Sequence, residues 1–372
     1  MRADLKPRKA EARRWEQGLK RVQTGAGSGR KKVILHIGLE KTGTTSFQRF
    51  CFENSRVLRA RGVLYPTQSL AFSRRSHNHA SLVAAYLEGT GYVDLDMTPS
   101  WRGREETLAS LRQEIEAAQA PTILLSAEHF SSRLTPVEIG RLAADFADCD
   151  CVVAIVVRAH EPRVCSAYSS TIRSGRDLTL DEFVAELATP GNAYLRYAET
   201  VLRWEHAFGR ENIRLFNFEK SRDLIADLIR NIVGPGFTAR AGAQYVDNKR
   251  YGAVALEALR RINADFPRPD GSGRSALKLR LAAHARAMLL RAFSIMTWGN
   301  DASLRLNAGQ CAALAAVVQH DRTWLEENYG VVMPALCCGA GEPPRDERVA
   351  WILARTRRPR EVLARFLNNL PD

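Results

Sequence analysis

One junction constrains this chain more than any other. Val33–Ile37 is an apolar, β-branched run entered from Lys31-Lys32 and ended by Gly38. From Thr44 onward Phe47, Phe50, Cys51, Val57 and Leu58 recur at helical steps as far as Arg61-Gly62. The segment His36-Ile-Gly-Leu-Glu-Lys-Thr-Gly-Thr-Thr-Ser46 therefore lies where a buried strand turns into a helix. Such a junction suits a phosphate, because backbone N–H groups converge there and the helix dipole favours negative charge. Gly38 and Gly43 let the backbone turn and approach an anion closely. Lys41 supplies a mobile cation, and Thr44, Thr45 and Ser46 supply hydroxyl donors.

Further elements extend the pattern. Val63–Tyr65, Thr122–Leu125, the continuous apolar run Val152–Val157 and Ile213–Phe216 read as strands. Between them Ala80–Leu87, Arg104–Ala118, Pro136–Phe146, Glu161–Ser174, Leu180–Leu187, Tyr194–Phe208 and Leu224–Ile232 read as helices. Strands alternating with helices imply right-handed crossovers, and so an α/β fold of three layers around a parallel sheet. After Pro235 no strand is expected, which leaves 236–372 mainly helical, with Pro267–Arg274 as its clearest break. The expected organisation is a basic tail over 1–32, an α/β core over 33–235 and a helical portion over 236–372 capping it.

Charge separates the tail from the rest. Residues 1–32 hold eleven Lys/Arg against three Asp/Glu, a net +8 of the chain's +13. They read as a solvated flexible segment; the sharper alternative is an arm that gathers a polyanion or an anionic membrane surface. No run is long enough to span a bilayer (Leu281–Met296 is broken by His284, Arg286 and Arg291), and no secretory leader is expected, so the chain reads as cytoplasmic. The seven cysteines (51, 149, 151, 165, 311, 337 and 338) have no disulfide framework and no metal-ligand spacing, and are expected as reduced thiols.

The loop is not a Walker A sequence, which needs four residues between its glycines and a Gly-Lys-Ser/Thr ending; here Lys41 precedes Gly43 by two residues. The order Lys41-Thr-Gly-Thr-Thr45 instead resembles the 5′-phosphosulfate loop of sulfotransferases, most closely their bacterial and Golgi-type branch. A second stretch strengthens the resemblance. Arg158 ends a core strand and Ser166 follows eight residues later on the next helix, in the family's pattern for the 3′-phosphate of 3′-phosphoadenosine 5′-phosphosulfate (PAPS). A guanidinium can grip a phosphate bidentately, and a hydroxyl from the facing helix can close the site. The pattern over Trp204–Phe218, continuing as Asn217-Phe-Glu-Lys220, is also similar, so the resemblance covers about 33–235. It implies a P-loop-like sulfotransferase core that binds PAPS through Lys41, Thr42, Gly43, Thr44, Thr45 and Ser46 at one end and Arg158 and Ser166 at the other. Asn248-Lys249-Arg250 is a weak match to the family's C-terminal basic loop.

Transfer of a sulfuryl group needs a base for the attacking hydroxyl or amine and a cation at the departing oxygen. Lys41 fills the second role. For the base, His or Glu is implied, and two clusters fall at sheet-edge loops: His77-Asn-His79, and Ser126-Ala-Glu128-His129. His79 ranks first, Glu128 second as base or orienter, then His77 and His129. His36, inside the first strand, reads as a core residue or a support for the site; His160 follows Arg158 and could line the nucleotide site, but is not counted among its residues. The expected acceptor is a carbohydrate, a glycolipid or a small metabolite, with no metal required and no specific nucleic-acid partner. The rival reading is an ATP/Mg-dependent kinase or phosphotransferase on a related fold; two separate phosphate anchors speak against one contiguous triphosphate. A nucleic-acid-binding scaffold would leave those anchors unexplained.

Overall fold

The computed structural model describes residues 29–67, 77–88, 103–221, 223–234, 251–264, 284, 288, 303–336 and 346–368. Residues 1–28, Asn248-Lys249-Arg250, the break at Pro267–Arg274, all but two residues of Leu281–Met296, and Cys337-Cys338 lie outside the described residues.

Five strands form one parallel sheet: β1 (Lys32–His36), β2 (Val63–Leu64), β3 (Thr122–Ser126), β4 (Asp150–Val157) and β5 (Ile213–Asn217), in the order β2-β3-β1-β4-β5. β1 lies at the centre, with His36 opposite Ser126 on β3 and Ala154 on β4. The two strands that flank β1, β3 and β4, therefore end beside the loop that follows it, which is why one carboxyl edge gathers the candidate site.

Side-chain alternation along the strands builds two cores. Val33, Leu35, Leu125, Val153 and Ile155 face one way. They pack with α3 (Ala80–Leu87), α4 (Arg104–Ala118), α6 (Pro136–Asp145) and α9 (Tyr197–Phe208). Ile34, Leu124, Ala154 and Val156 face the other way, against α1 (Thr44–Glu53), α2 (Ser55–Ala60) and α10 (Leu224–Val233). Each fully buried Leu, Ile or Phe on these faces contributes roughly 1.5–3 kcal/mol. This is the three-layer α/β architecture expected from the alternating pattern.

A third core is all-helical. α7 (His160–Arg173) and α8 (Leu180–Ala188) supply Val164, Tyr168, Ile172 and Phe183. α11 (Ala253–Asn263), α12 (Ala308–Tyr329) and α13 (Asp346–Asn368) supply Leu259, Leu314, Val349 and Ile352. The helices after residue 250 thus share a core with two helices of the α/β part. None of the described helices is long and apolar enough to cross a membrane.

The elements differ from expectation in a few places. The single helix expected from Thr44 to Arg61 is two, because Asn54 leaves helical geometry and turns its side-chain amide back to the Phe50 carbonyl at 2.9 Å. α9 starts at Tyr197, not Tyr194. A short helix, α5 (His129–Arg133), follows β3 where a loop was expected. The last residues of the basic segment belong to the fold: Lys32 opens β1, and the Arg30 guanidinium donates to the Asp148 carbonyl at 2.9 Å and the Cys149 carbonyl at 3.0 Å. Two helices begin with the reciprocal capping expected of Thr-x-x-Glu, at Thr135/Glu138 and Thr179/Glu182.

Candidate active site

The loop leaves β1 at Ile37 and reaches α1 through three left-handed residues, Gly38 (φ 48°), Lys41 (φ 69°) and Gly43 (φ 82°). At Gly38 glycine is obligatory on two counts. The backbone is in the region that L-residues avoid, and a Cβ there would sit 2.4 Å from the Thr44 methyl. Lys41, without glycine's freedom, holds the same hand because the surrounding contacts impose it. Gly43 is the N-cap of α1 and, as a glycine, has no side chain with which to cap that helix. The first-turn N–H groups of a helix have no partner within the helix, so a helix start of this kind suits an anion. Thr42 is fully buried, and its hydroxyl closes the loop on itself, donating to the Leu39 carbonyl at 2.5 Å. That hydroxyl is turned away from the cradle, whereas Thr45 is exposed and Ser46 half-buried.

Two arginines from the β4–α7 segment brace the loop from below. Arg158 Nη1 donates to the Lys41 carbonyl at 2.7 Å, and Arg163 Nε donates to the neighbouring Glu40 carbonyl at 3.0 Å. Charged donors to carbonyls are among the stronger hydrogen bonds. With both carbonyls drawn toward α7, the loop has little freedom to flip. Arg158 is only 12% exposed, lies 4.7 Å from the centre of the Phe218 ring and sits 4.0 Å from Glu219 Oε1. Glu219 also accepts from the Ala159 N–H at 3.0 Å. The Asn217–Lys220 segment thus folds onto Arg158, and Phe218 also approaches Gly43, where an added Cβ would lie 3.3 Å away. Ser166 lies half-buried on α7, with its carbonyl accepting from the Ser170 hydroxyl at 3.2 Å.

Lys41 is half-buried, and burial pushes its ammonium below the usual lysine range. Glu40 and Glu128 pull the other way, while Arg173 and Arg163 reinforce the lowering. Glu128 is the candidate the fold brings to the loop. It precedes α5 at the end of β3, is half-buried, and its Oε2 accepts from Gln48 Nε2 on α1 at 2.8 Å. Lys41, Gln48 and Glu128 thus share the carboxyl edge of β1 and β3.

His79, ranked first as base from the sequence, is built into the fold instead. It is fully buried, Nε2 donates to the Pro66 carbonyl at 2.9 Å, and Nδ1 accepts from the Ser126 N–H at 2.8 Å. Burial holds it below the usual histidine range, at about 4, so it is neutral with both nitrogens engaged by backbone. A side chain in that state takes no proton from a substrate. His77 has a left-handed backbone (φ 52°), gives its carbonyl to the Tyr65 hydroxyl at 2.7 Å, and stacks on Phe52 with centroids 4.4 Å apart. His129 opens α5 beside Glu128. His36 is a core residue: Nδ1 lies 2.7 Å from the Ser126 hydroxyl, and burial pushes its imidazole down to about 3. His160 is buried against Tyr197, with ring centroids 4.4 Å apart.

Arg163, Gln48, Tyr194 and Tyr197 went unread in the sequence. Arg163 is 3% exposed and lies 4.0 Å from the Tyr194 ring centre and 5.0 Å from that of Tyr197. A hint was available in Arg163 itself, a charged residue among the apolar positions of α7. Among the described residues no three His, Cys, Asp or Glu side chains are grouped to hold a metal.

No model of a known protein family matches the chain, and no curated protein matches it. Among solved structures it is similar to a sulfotransferase from Alicyclobacillus acidocaldarius, at 17% identity and a TM-score of 0.40, over 78% of this chain and 97% of that one.

Proposed function

We propose that this chain is a PAPS-dependent sulfotransferase. The observation that carries the reading is the start of α1 at Gly43, reached by a loop that no Cβ can enter at Gly38 and held by Arg158 through the Lys41 carbonyl. An anion held by N–H donors at that helix start has a lysine beside it and an arginine close behind. The sulfotransferase loop order, with Arg158 and Ser166 at family spacing, supports two phosphate positions on one donor. In this reading Lys41, Gly43, Thr44, Thr45, Ser46 and the Thr42 backbone hold the 5′ end, and Arg158 and Ser166 hold the 3′-phosphate.

In the reaction the bond between sulfur and the donor's 5′-phosphate oxygen breaks, and a bond from sulfur to the acceptor hydroxyl or amine forms. Lys41 offsets the charge left on the departing oxygen. Glu128 takes the acceptor's proton, oriented by the amide of Gln48. The proposed acceptor is a carbohydrate, a glycolipid or a small metabolite, and the enzyme is proposed to act in the cytoplasm without a metal. The basic segment before residue 29 is proposed to touch an anionic membrane surface or remain solvated. The proposed division, corrected for Arg30 and β1, is a tail before residue 29, the PAPS-binding core to 235, and the helical portion beyond.

The test is thermal unfolding with 3′-phosphoadenosine 5′-phosphate and, separately, with ATP·Mg. Selective stabilisation by the first is expected. Selective stabilisation by ATP·Mg would replace this reading with the phosphotransferase one.

A further inference from the structure

Buried polar contacts under the loop continue into the C-terminal helices. Asp321, on α12, is 1% exposed. Its carboxylate accepts the backbone N–H groups of Tyr197 at 2.6 Å and Ala198 at 3.2 Å, the first two residues of α9. The local N-cap, Arg196, makes no side-chain cap bond, so a carboxylate more than 120 residues away fills that role. His160 Nε2 approaches the same carboxylate at 3.5 Å. A buried carboxylate is tolerated only where several donors meet it, as they do here.

The chain of contacts then runs from Tyr197 to the loop. The Tyr197 hydroxyl donates to the Arg158 carbonyl at 2.8 Å, and its ring lies between His160 and the Arg163 guanidinium. Arg158 and Arg163 hold the Lys41 and Glu40 carbonyls. Asp321 therefore fixes the start of α9, that start places Tyr197, and Tyr197 sets both arginines. A second tie reaches the same region: Arg305 Nε, also from the C-terminal portion, lies 3.0 Å from Glu161 Oε1 in the first turn of α7.

We infer that Asp321 is a positioning residue for the donor nucleotide, acting through Tyr197 on Arg158 and Arg163, so that the C-terminal portion completes the nucleotide site from behind. The identity of the nucleotide rests on the sulfotransferase reading above. A positioning role differs from a purely structural one in what it moves. It changes the preference for the ligand bearing a 3′-phosphate, because Arg158 is the group displaced. A purely structural role lowers stability and affects all ligands together.

The experiment is calorimetric titration of the full chain, well below its unfolding midpoint, with 3′-phosphoadenosine 5′-phosphate and with adenosine 5′-phosphate. The proteins are wild type, Tyr197→Phe and Asp321→Asn, each with its unliganded unfolding midpoint recorded. Tyr197→Phe keeps the ring and removes the hydroxyl that bonds to the Arg158 carbonyl and to the Arg163 side chain. It is expected to weaken the 3′-phosphorylated ligand about five-fold, the weight of one neutral hydrogen bond, and adenosine 5′-phosphate by less than about two-fold. Asp321→Asn is expected to show the same selectivity with a larger loss, about ten-fold. Unchanged affinities in folded variants overturn the inference, as do equal losses for both ligands. If Asp321→Asn does not fold, Tyr197→Phe decides alone. Wild-type protein that binds neither nucleotide overturns the sulfotransferase reading and this inference with it; wild-type binding with unaltered variants overturns the inference only.

Discussion

Gly38→Ala is the most direct probe of the loop. The new methyl carbon would lie 2.4 Å from Thr44 Cγ2, against a comfortable carbon–carbon contact of about 3.5–4.0 Å. Thr44 is 5% exposed, sits in the first turn of α1 and is β-branched, so its rotamer yields reluctantly. The left-handed backbone (φ 48°) adds about 1–2 kcal/mol for any residue with a Cβ, and the overlap adds about 1–3 kcal/mol. The expected loss is therefore about 2–5 kcal/mol, a large share of the ~5–15 kcal/mol that holds a typical domain. Thr44→Ser removes the opposing methyl at about 0.8 kcal/mol on its own. In the double variant the overlap disappears and the backbone strain remains. The double-mutant cycle, read by urea unfolding with linear extrapolation, should show a coupling of at least ~1 kcal/mol in favour of the double variant. Costs that add within ~0.5 kcal/mol would falsify the claim that Thr44 closes the cradle at Gly38.

Other expectations follow from the same site. Glu128→Gln should lower kcat by about 10²–10⁴-fold while the affinity for 3′-phosphoadenosine 5′-phosphate stays within about two-fold; near-normal turnover would remove Glu128 as the base. His79→Ala should cost about 2–4 kcal/mol in urea unfolding, since it deletes a buried ring with two backbone bonds, yet leave turnover of the folded protein largely intact; a folded, nucleotide-binding but inactive variant would restore His79 as base. Because burial holds the folded-state His79 near 4 and His36 near 3, the unfolded chain binds more protons below its ordinary histidine value of about 6.5. Stability contributed by keeping these rings neutral is full above that value and is lost as pH falls toward 4, at about 1.4 kcal/mol per pH unit for each ring. A calorimetric midpoint that stays flat between neutral pH and pH ~5 counts against both assignments. Arg158→Ala should weaken the 3′-phosphorylated nucleotide by about ten-fold or more and adenosine 5′-phosphate less, by titration calorimetry; equal losses would mean that Arg158 only braces the loop.

The sheet was legible because its strands are short, continuous apolar runs between loop signals, and a parallel sheet buries both faces. Arg104–Ala118 was read to its observed bounds, since its apolar spacing ends where Pro121 forbids more helix. The break at Asn54 was invisible because the apolar period runs straight through it. The loop was legible for a similar reason: Gly38, Lys41 and Gly43 lie within six residues, and their chemistry is local. Nothing local announces the bond from Arg163 to Glu40 or from Asp321 to Tyr197, which join residues 123 and 124 positions apart. His79 shows the matching limit. Sequence displays the imidazole but not the Pro66 carbonyl and Ser126 N–H that occupy it, and a side chain's availability depends on those partners rather than on its type.

The segment after α12 has a role that appears only when the outer strands are considered. A sheet's first and last strands expose unpaired backbone groups that invite another chain to pair. At one side β2 is only two residues long and offers little to pair with. At the other, the β5 residue Asn217 donates through its side chain to the Val332 carbonyl at 3.0 Å, and Val331 and Met333 bury in the same cluster as Ile213 and Leu215. Residues 331–333 thus shield the flank of the last strand. A chain cut at residue 235 would keep the phosphate loop and lose that shield, leaving β5 a sticky border through which copies associate into aggregates.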